Sequence, residues 1–296
     1  MEVILVGLTT SSTGKKTIEK DVFEKTIGCN YTIAIAGNPN VGKSTIFNAL
    51  TGMHQHTGNW PGKTVSNATG ISTFHNQQFL LVDIPGTYSL MSHSEEEEIA
   101  RDYICFGNPD ATVVIVDATC LERNLNLVYQ TMEITPNIIL CVNLLDEAKK
   151  KKIDIDLKKL SLLLGVPVVG VVARDKKGFD SLLEKVKEVS LKKGGYIKVN
   201  YDKFLVKDIY KLEKFIPKVN VNSDNVILRY LSGDFNFINA FDYKYKTNLM
   251  RNLEAKYIKE DILKDLKLKG INQNDIETLM TETVNEKCYK ICEKVV

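Results

Sequence analysis

The chain has 296 residues, 44% of them hydrophobic and 26% charged, a balance that excludes collagen, a disordered tail and a disulfide-stapled miniprotein. Its 39 Lys and Arg against 37 Asp and Glu leave a net charge of +2, so bulk charge marks no nucleic-acid partner. No apolar run approaches the roughly 18 residues that cross a bilayer, residues 3–8 lack the basic prefix of a secretory leader, and six cysteines without paired spacing point to a reducing compartment. The expectation is a soluble, cytoplasmic chain of about two domains.

Residues 1–30 read as a polar extension, Ser/Thr-rich over 9–16. The apolar run 32–37 ends in glycine, and 43–51 then places Ile46, Phe47 and Leu50 on one helical face. Strands are expected at 69–75 and 79–84, the two as an antiparallel pair, and at 112–117, 137–143 and 166–172. Helical periodicity fills 95–105, 124–134, 156–164 and 179–189. Strands apolar on both faces, alternating with helices, imply a mostly parallel sheet covered on both sides. After Ser190 the pattern changes. Lys192-Lys-Gly-Gly195 is a hinge signal, and apolar residues recur at three-and-four spacing over 201–215, 225–231, 236–245, 248–266 and 274–295. The organisation expected is an extension over 1–30, an α/β domain over 31–192 and an all-helical domain over 193–296.

Three motifs carry chemistry. Gly37-Asn38-Pro39-Asn40-Val41-Gly42-Lys43-Ser44, followed by Thr45, is a phosphate loop placed between strand and helix. Its glycines let backbone N–H groups turn inward around a phosphate, Lys43 reaches the β- and γ-phosphates, and Ser44 offers a hydroxyl to Mg²⁺. Asp83-Ile-Pro-Gly86 ends the next strand, where a carboxylate can hold Mg²⁺ through water and a glycine N–H can meet a γ-phosphate. Asn143-Leu-Leu-Asp146 ends another. The Asp146 carboxylate can accept from N1–H and the exocyclic amine of guanine, a pair that adenine lacks, which selects GTP over ATP. The phosphate loop stands by its place between strand and helix; Asp-x-x-Gly and Asn-x-x-Asp are each weak alone, but three motifs in order, each at a strand C-terminal end, form one ligand edge. Gly7 to Lys15 is a decoy with six residues between its glycines.

This ordered set resembles the translation-factor-related small GTPases. Three strings narrow the resemblance to the cytoplasmic G domain of the FeoB family of bacterial ferrous-iron transporters. They are the phosphate loop continued through Thr45-Ile-Phe-Asn-Ala-Leu-Thr-Gly52, the run His56-Thr-Gly-Asn-Trp60-Pro61-Gly62-Lys63-Thr64-Val65, and Asp83-Ile-Pro-Gly-Thr-Tyr-Ser-Leu90. The likeness covers 31–190 and implies a Ras-like P-loop GTPase fold followed by a small helical domain of the kind thought to stabilise the GDP state. It implies GTP and GDP as ligands, Mg²⁺ held with Ser44, Thr64 and Asp83, and an activating K⁺ held by Asn40. It also implies switch loops at 57–65 and 86–94, with Gly62, Lys63, Thr64 and Val65 beside the nucleotide. Lys43, Asn40, Thr64 and Gly86 would carry the reaction, and Asn143, Asp146 and Ala173 would hold the base.

Two departures stand out. Thr87 occupies the place where Ras-like enzymes keep a water-positioning glutamine, so slow turnover is expected. Val172-Ala173-Arg174 replaces the family's Ser-Ala, which predicts loose GDP binding and fast release. The partners implied are guanine nucleotide and a transmembrane permease portion absent from this chain, with a homo-oligomer as a further option and no nucleic acid. The place implied is the cytoplasmic face of the bacterial inner membrane, as part of a longer protein. The competing readings are a soluble ribosome-assembly-type GTPase and a module that binds nucleotide without hydrolysing it.

Other features have plainer readings. Cys288 and Cys292 share a helix face as thiols without enough neighbours for a metal, and His54, His56, His75 and His93 read as solvated. Glu95 to Glu98 after Ser94 form an acidic, capped first turn. Lys149 to Lys152 read as a solvated turn or a membrane-facing patch. Trp60, the single tryptophan, reads either as a reporter of switch movement or as an anchor.

Overall fold

The computed structural model describes residues 28–53, 55–60, 63–91, 94–191, 199, 201 and 203–296. The extension up to 27, His54, Pro61, Gly62, His93 and the hinge signal at 192–195 lie outside the described residues. Seven strands form one sheet in the order β2-β3-β4-β1-β5-β6-β7. They are β1 (Tyr31–Gly37), β2 (Gln55–Asn59), β3 (Ser66–Phe74), β4 (Gln77–Asp83), β5 (Ala111–Asp117), β6 (Ile138–Asn143) and β7 (Val168–Gly170). The five strands from β4 to β7 are parallel, and β3 and β2 continue the sheet as antiparallel strands on one edge. β5 and β6 are the apolar runs Ala-Thr-Val-Val-Ile-Val and Ile-Ile-Leu-Cys-Val, buried on both faces as parallel strands between helix layers must be. The β3–β4 hairpin closes through His75 and Asn76, both at positive φ, the mirror-image turn that matches strand twist.

Helices α1 (Lys43–Thr51), α2 (Glu95–Phe106), α3 (Leu121–Ile134), α4 (Leu145–Lys150), α5 (Leu157–Leu164) and α6 (Phe179–Leu191) cover the sheet. Beyond them come α7 (Lys203–Val206), α8 (Tyr210–Glu213), α9 (Ser223–Ser232), α10 (Phe235–Tyr245), α11 (Leu253–Leu268) and α12 (Asp275–Val295). One sheet face carries Ile33, Ile35, Phe47, Ile115 and Phe179 in a cluster closed by α1 and α6. On the other face a single cluster runs from Val82 and Val114 through Tyr103 and Leu125 into Phe237, Phe241 and Val284. The late helices therefore pack directly on α2 and α3. Among the described residues no helix is long and apolar enough to cross a membrane.

Several expected elements change. β2 is an additional strand. Gln-His-Thr-Gly-Asn has no apolar alternation, and an exposed edge strand needs none, since backbone pairing with β3 alone holds it. β7 is shorter than 166–172 at both ends: Val166 and Pro167 precede it, and past the Val171 N–H, which still donates to the Val142 carbonyl at 2.8 Å, the chain turns at Val172 into the 3₁₀ turn beyond. The helix expected over 201–215 is two single turns. Val206, Ile209, Leu212 and Phe215 recur every third residue, and i→i+3 bonds join Ile209 to Leu212 and Leu212 to Phe215. The helix expected from 248 is preceded by a 3₁₀ turn and begins at Leu253, where Asn252 Oδ1 accepts from the Ala255 N–H at 3.0 Å. The run 149–152 is not wholly a turn: α4 extends to Lys150.

A buried polar junction ties the two halves. Arg101 on α2 and Arg229 on α9 both donate to Asp234 Oδ2, at 3.0 and 2.9 Å. Both guanidinium groups lie about 5 Å over the Phe237 ring, at 5.2 and 5.1 Å. Arg229 Nη2 also donates to the Leu90 carbonyl at 2.9 Å. Farther along, Asn126 on α3 donates to Asn285 on α12 at 2.6 Å.

Candidate functional site

The C-terminal ends of β1, β4, β6 and β7 open on one edge, where open α/β sheets bind ligands. There the loop from Gly37 to Ser44 enters α1. Asn40 and Gly42 both take left-handed φ, 67° and 85°, which turns successive N–H groups toward a shared concavity. Both flanking glycines are required. A Cβ at Gly37 would stand 2.7 Å from the Ile115 carbonyl oxygen, and one at Gly42 would stand 2.4 Å from Asn143 Nδ2. The cleft they shape holds 480 Å³ and is lined by the 38–45 loop and Gly86. Asn38 is buried in this lining, and its side-chain amide has no hydrogen-bond partner among the described residues.

Asn143 braces the edge. Only 1% exposed, it donates from Nδ2 to the Val41 carbonyl at 3.0 Å and accepts at Oδ1 from the Ala173 N–H at 3.2 Å. One side chain thus fixes the phosphate loop against the loop after β7. The Ala173 N–H, expected at the base, is in this state turned to Asn143. Asp146 lies in the first turn of α4 with Oδ2 accepting from Arg174 Nη2 at 2.9 Å.

Lys43 Nζ forms a short ion pair with the Asp83 carboxylate at the end of β4. Burial pushes the Asp83 carboxyl above its ordinary range, against the pull of Lys43. Ser44 is exposed at the start of α1. Gly86 comes up against Pro39, where an added Cβ would meet ordinary contacts at 3.5 Å. The Thr87 N–H donates to the Gly37 carbonyl at 3.3 Å, while its hydroxyl donates to the Ser89 carbonyl at 2.5 Å.

The segment expected beside the phosphates rests on α2. Thr64 Oγ1 donates to Glu95 Oε2 at 3.1 Å, and Lys63 Nζ reaches Glu98 at 2.8 Å and Glu95 at 3.5 Å. Trp60 is 1% exposed with its ring edge-on to Tyr103, and its backbone N–H donates to the Val65 carbonyl at 2.9 Å. Of the two readings of Trp60, this state shows the anchor. The acidic first turn of α2 does more than offset a helix dipole: Ser94 caps it, and Glu95 and Glu98 hold Lys63 and Thr64. Sequence reasoning also missed Gln130. Its Oε1 accepts from the Leu90 N–H at 2.6 Å, so Leu90 is held at its N–H by α3 and at its carbonyl by Arg229. No local pattern announces such contacts, which span 40 and 139 residues.

A larger cavity of 860 Å³ opens between the start of α3 and the end of α12 and shares no lining residue with the phosphate-loop cleft. Cys288 and Cys292 line it, and burial pushes them up to about 12 and about 11, the condition of inert thiols. Among the described residues no group of His, Cys, Asp and Glu could hold a metal.

Residues 31–186 match the family model described as Ferrous iron transport protein B. The chain belongs to that family. The Fe(2+) transporter FeoB of Salmonella typhimurium is 44% identical over 155 residues, 51% of this chain and 20% of the relative. That of Escherichia coli is 39% identical over 190 residues, 63% and 24%. The chain therefore spans about a fifth to a quarter of the length of these FeoB relatives. The cytosolic domain of the T. maritima FeoB iron transporter in its GMPPNP form superposes with a TM-score of 0.75 at 31% identity, covering 90% of this chain and 98% of that one. The P-loop GTPase fold with trailing helices is thus the FeoB cytosolic fold, and the ribosome-assembly alternative is set aside.

Proposed function

We propose that this chain is the GTP-binding and GTP-hydrolysing regulatory part of a ferrous-iron transporter, the G domain over 31–192 and a helical domain over 193–296. The observation that carries this reading is the Asn143 brace, which joins the phosphate loop to the loop after β7 within one edge. The T. maritima relative in GDP and GMPPNP forms supports the same ligand class. In this reading the 37–45 loop and Lys43 cradle the phosphates. Asp146 and Ala173 read the base once the Ala173 N–H turns from Asn143. Gly86 senses the γ-phosphate.

The residues present fit Mg²⁺. Asp83 is a carboxylate in a partly buried place, now satisfied by the Lys43 ammonium, and the next residue after Lys43, Ser44, is exposed at the start of α1 and lines the same cleft. Thr64 would join them after leaving Glu95. Asn40, exposed in the loop, brings a side-chain carbonyl oxygen, the kind of ligand that K⁺ takes. When bound, the two cations neutralise charge that builds on the phosphates. The protein's own share is to orient phosphates and exclude water. The Thr87 hydroxyl is engaged within its own turn, which supports slow turnover. Leu90, held by α3 and α9, gives the helices a contact that follows the 86–94 segment. The membrane-embedded remainder of the transporter is the partner expected on the far side of those helices, and Fe²⁺ is its cargo.

Single-turnover hydrolysis of GTP and ATP, in matched KCl and NaCl with Asn40→Ala alongside, tests this. Turnover of GTP alone, raised by K⁺ and no longer raised in the variant, is the expected result. Equal rates in both salts remove the Asn40 role. GTP bound but never hydrolysed reduces the chain to a binding module.

A further inference from the structure

Asp146 is the carboxylate to which the proposed function assigns the guanine base, and among the described residues its one side-chain donor is Arg174. The neighbouring Val172 brings no donor, and the Ala173 N–H is engaged by Asn143. The backbone beneath Arg174 is fixed. Asp175 and Lys176 donate to the Val172 and Ala173 carbonyls at 3.1 and 3.2 Å, and Val172 and Lys177 exchange bonds at 3.2 and 3.3 Å. The side chain therefore starts from a set point, while its guanidinium, on a side chain 69% exposed, lies at the mouth of the site over an Asp146 side chain 24% exposed.

A carboxylate offers about four acceptor positions on two oxygens. Arg174 occupies one of them, on Oδ2. The two donors on the guanine edge need one position on each oxygen, so base and arginine can share the group. With Arg174 in place, the plane of the carboxylate is set before the base arrives, and a positive charge stays on it as the base displaces water.

Given a guanine nucleotide at this edge, we propose that Arg174 is a positioning residue for base recognition, holding Asp146 in the orientation that reads the N1–H and the exocyclic amine. An exposed ion pair is weakened by salt, so the ratio between bases should fall with salt, over and above the salt dependence of phosphate binding that the diphosphates share.

The test compares GDP, inosine diphosphate and ADP on the full chain by equilibrium titration. Inosine diphosphate keeps N1–H and lacks the amine. The chains are wild type, Arg174→Ala and Arg174→Lys, with thermal unfolding as a check on the fold. Expected for Arg174→Ala is an unchanged melting temperature, GDP weakened about threefold to tenfold, and a smaller ratio of GDP to inosine diphosphate affinity. Lysine at 174 should restore part of both, and choline chloride at constant K⁺ should shrink the ratio in wild type more than in Arg174→Ala. On an Asp146→Asn background, probed with xanthosine diphosphate, Arg174→Ala should change nothing further. Tighter GDP binding in Arg174→Ala would make the arginine a competitor of the base and overturn the proposal. An unchanged ratio, or an effect that persists on the Asp146→Asn background, overturns it as well. A wild-type chain that binds no GDP removes the nucleotide reading itself, an outcome distinct from the other three.

Discussion

Glu133 on α3 is buried, and its carboxyl accepts a short hydrogen bond from the Tyr201 phenol. Arg229 and Lys287 pull its pKa down, but burial outweighs them and pushes it from the ordinary 4.5 up to about 7. A carboxyl group raised in this way binds its proton in the folded state first. Between about pH 4.5 and 7 the native chain holds more protons than the unfolded one, so stability from this group is full below the lower value and falls as pH rises to the upper one. Glutamine keeps the neutral acceptor for Tyr201 at every pH. Glu133→Gln should therefore raise the melting temperature at about pH 8 and match wild type at about pH 4, with a gap of at most about 3 kcal/mol. Thermal unfolding across that range checks it, and a gap that does not vary with pH would show that Glu133 stays ionised.

At the scale of elements, the entry to α1 depends on Gly42. Alanine there must hold a φ of 85° and push Asn143 Nδ2 from 2.4 Å, which undoes the brace between two loops. Gly42→Ala should keep the fold at a cost of about 1–3 kcal/mol and abolish GDP binding, read by circular dichroism and titration. Gly86→Ala meets Pro39 at 3.5 Å and the Gly37 carbonyl at 3.7 Å, both ordinary contacts, and should leave stability near wild type. The same contrast explains what the sequence could tell. Glycines, capping residues and buried β-branched runs are local and chemically marked, so the phosphate loop, Asp83 and Asn143 fell at strand ends as expected. β2 is held by backbone pairing without an apolar signature, and a three-residue apolar period serves single turns as well as a helix, so neither it nor the break between α7 and α8 was legible. Lys63 and Thr64 are expected beside the nucleotide, but in this state their partners are Glu95 and Glu98, 31 and 35 residues away, and only folding brings them together.

Across the whole molecule, the junction around Asp234 joins α2, α9 and the Leu90 segment through two arginines. Removing one leaves Asp234 with the other, so Arg229→Met should cost about 2–3 kcal/mol, below the 3–5 of an orphaned buried charge. Arg101→Met combined with it leaves Asp234 without either, and the double variant should lose more than the sum of the singles. Denaturant unfolding of the four chains measures this, and strict additivity would show that Asp234 is solvated rather than shared. Such a junction spans 133 residues of sequence and has no local signature, so the packing of the late helices on α2 was invisible where the motif-marked edge was plain.

The seating of Trp60 against Tyr103 has an optical consequence. Since the chain has one indole, all of its tryptophan emission comes from the segment latched to α2. In this state the ring is dry and its emission lies to the blue, and departure of Lys63 and Thr64 from the α2 acids would carry the same ring into water and shift its light to the red. Under the proposed function, mixing with nucleotide in a stopped-flow cell should therefore move the emission of the unlabelled protein, and emission that stays unchanged on GTP binding would show that Trp60 keeps its seat.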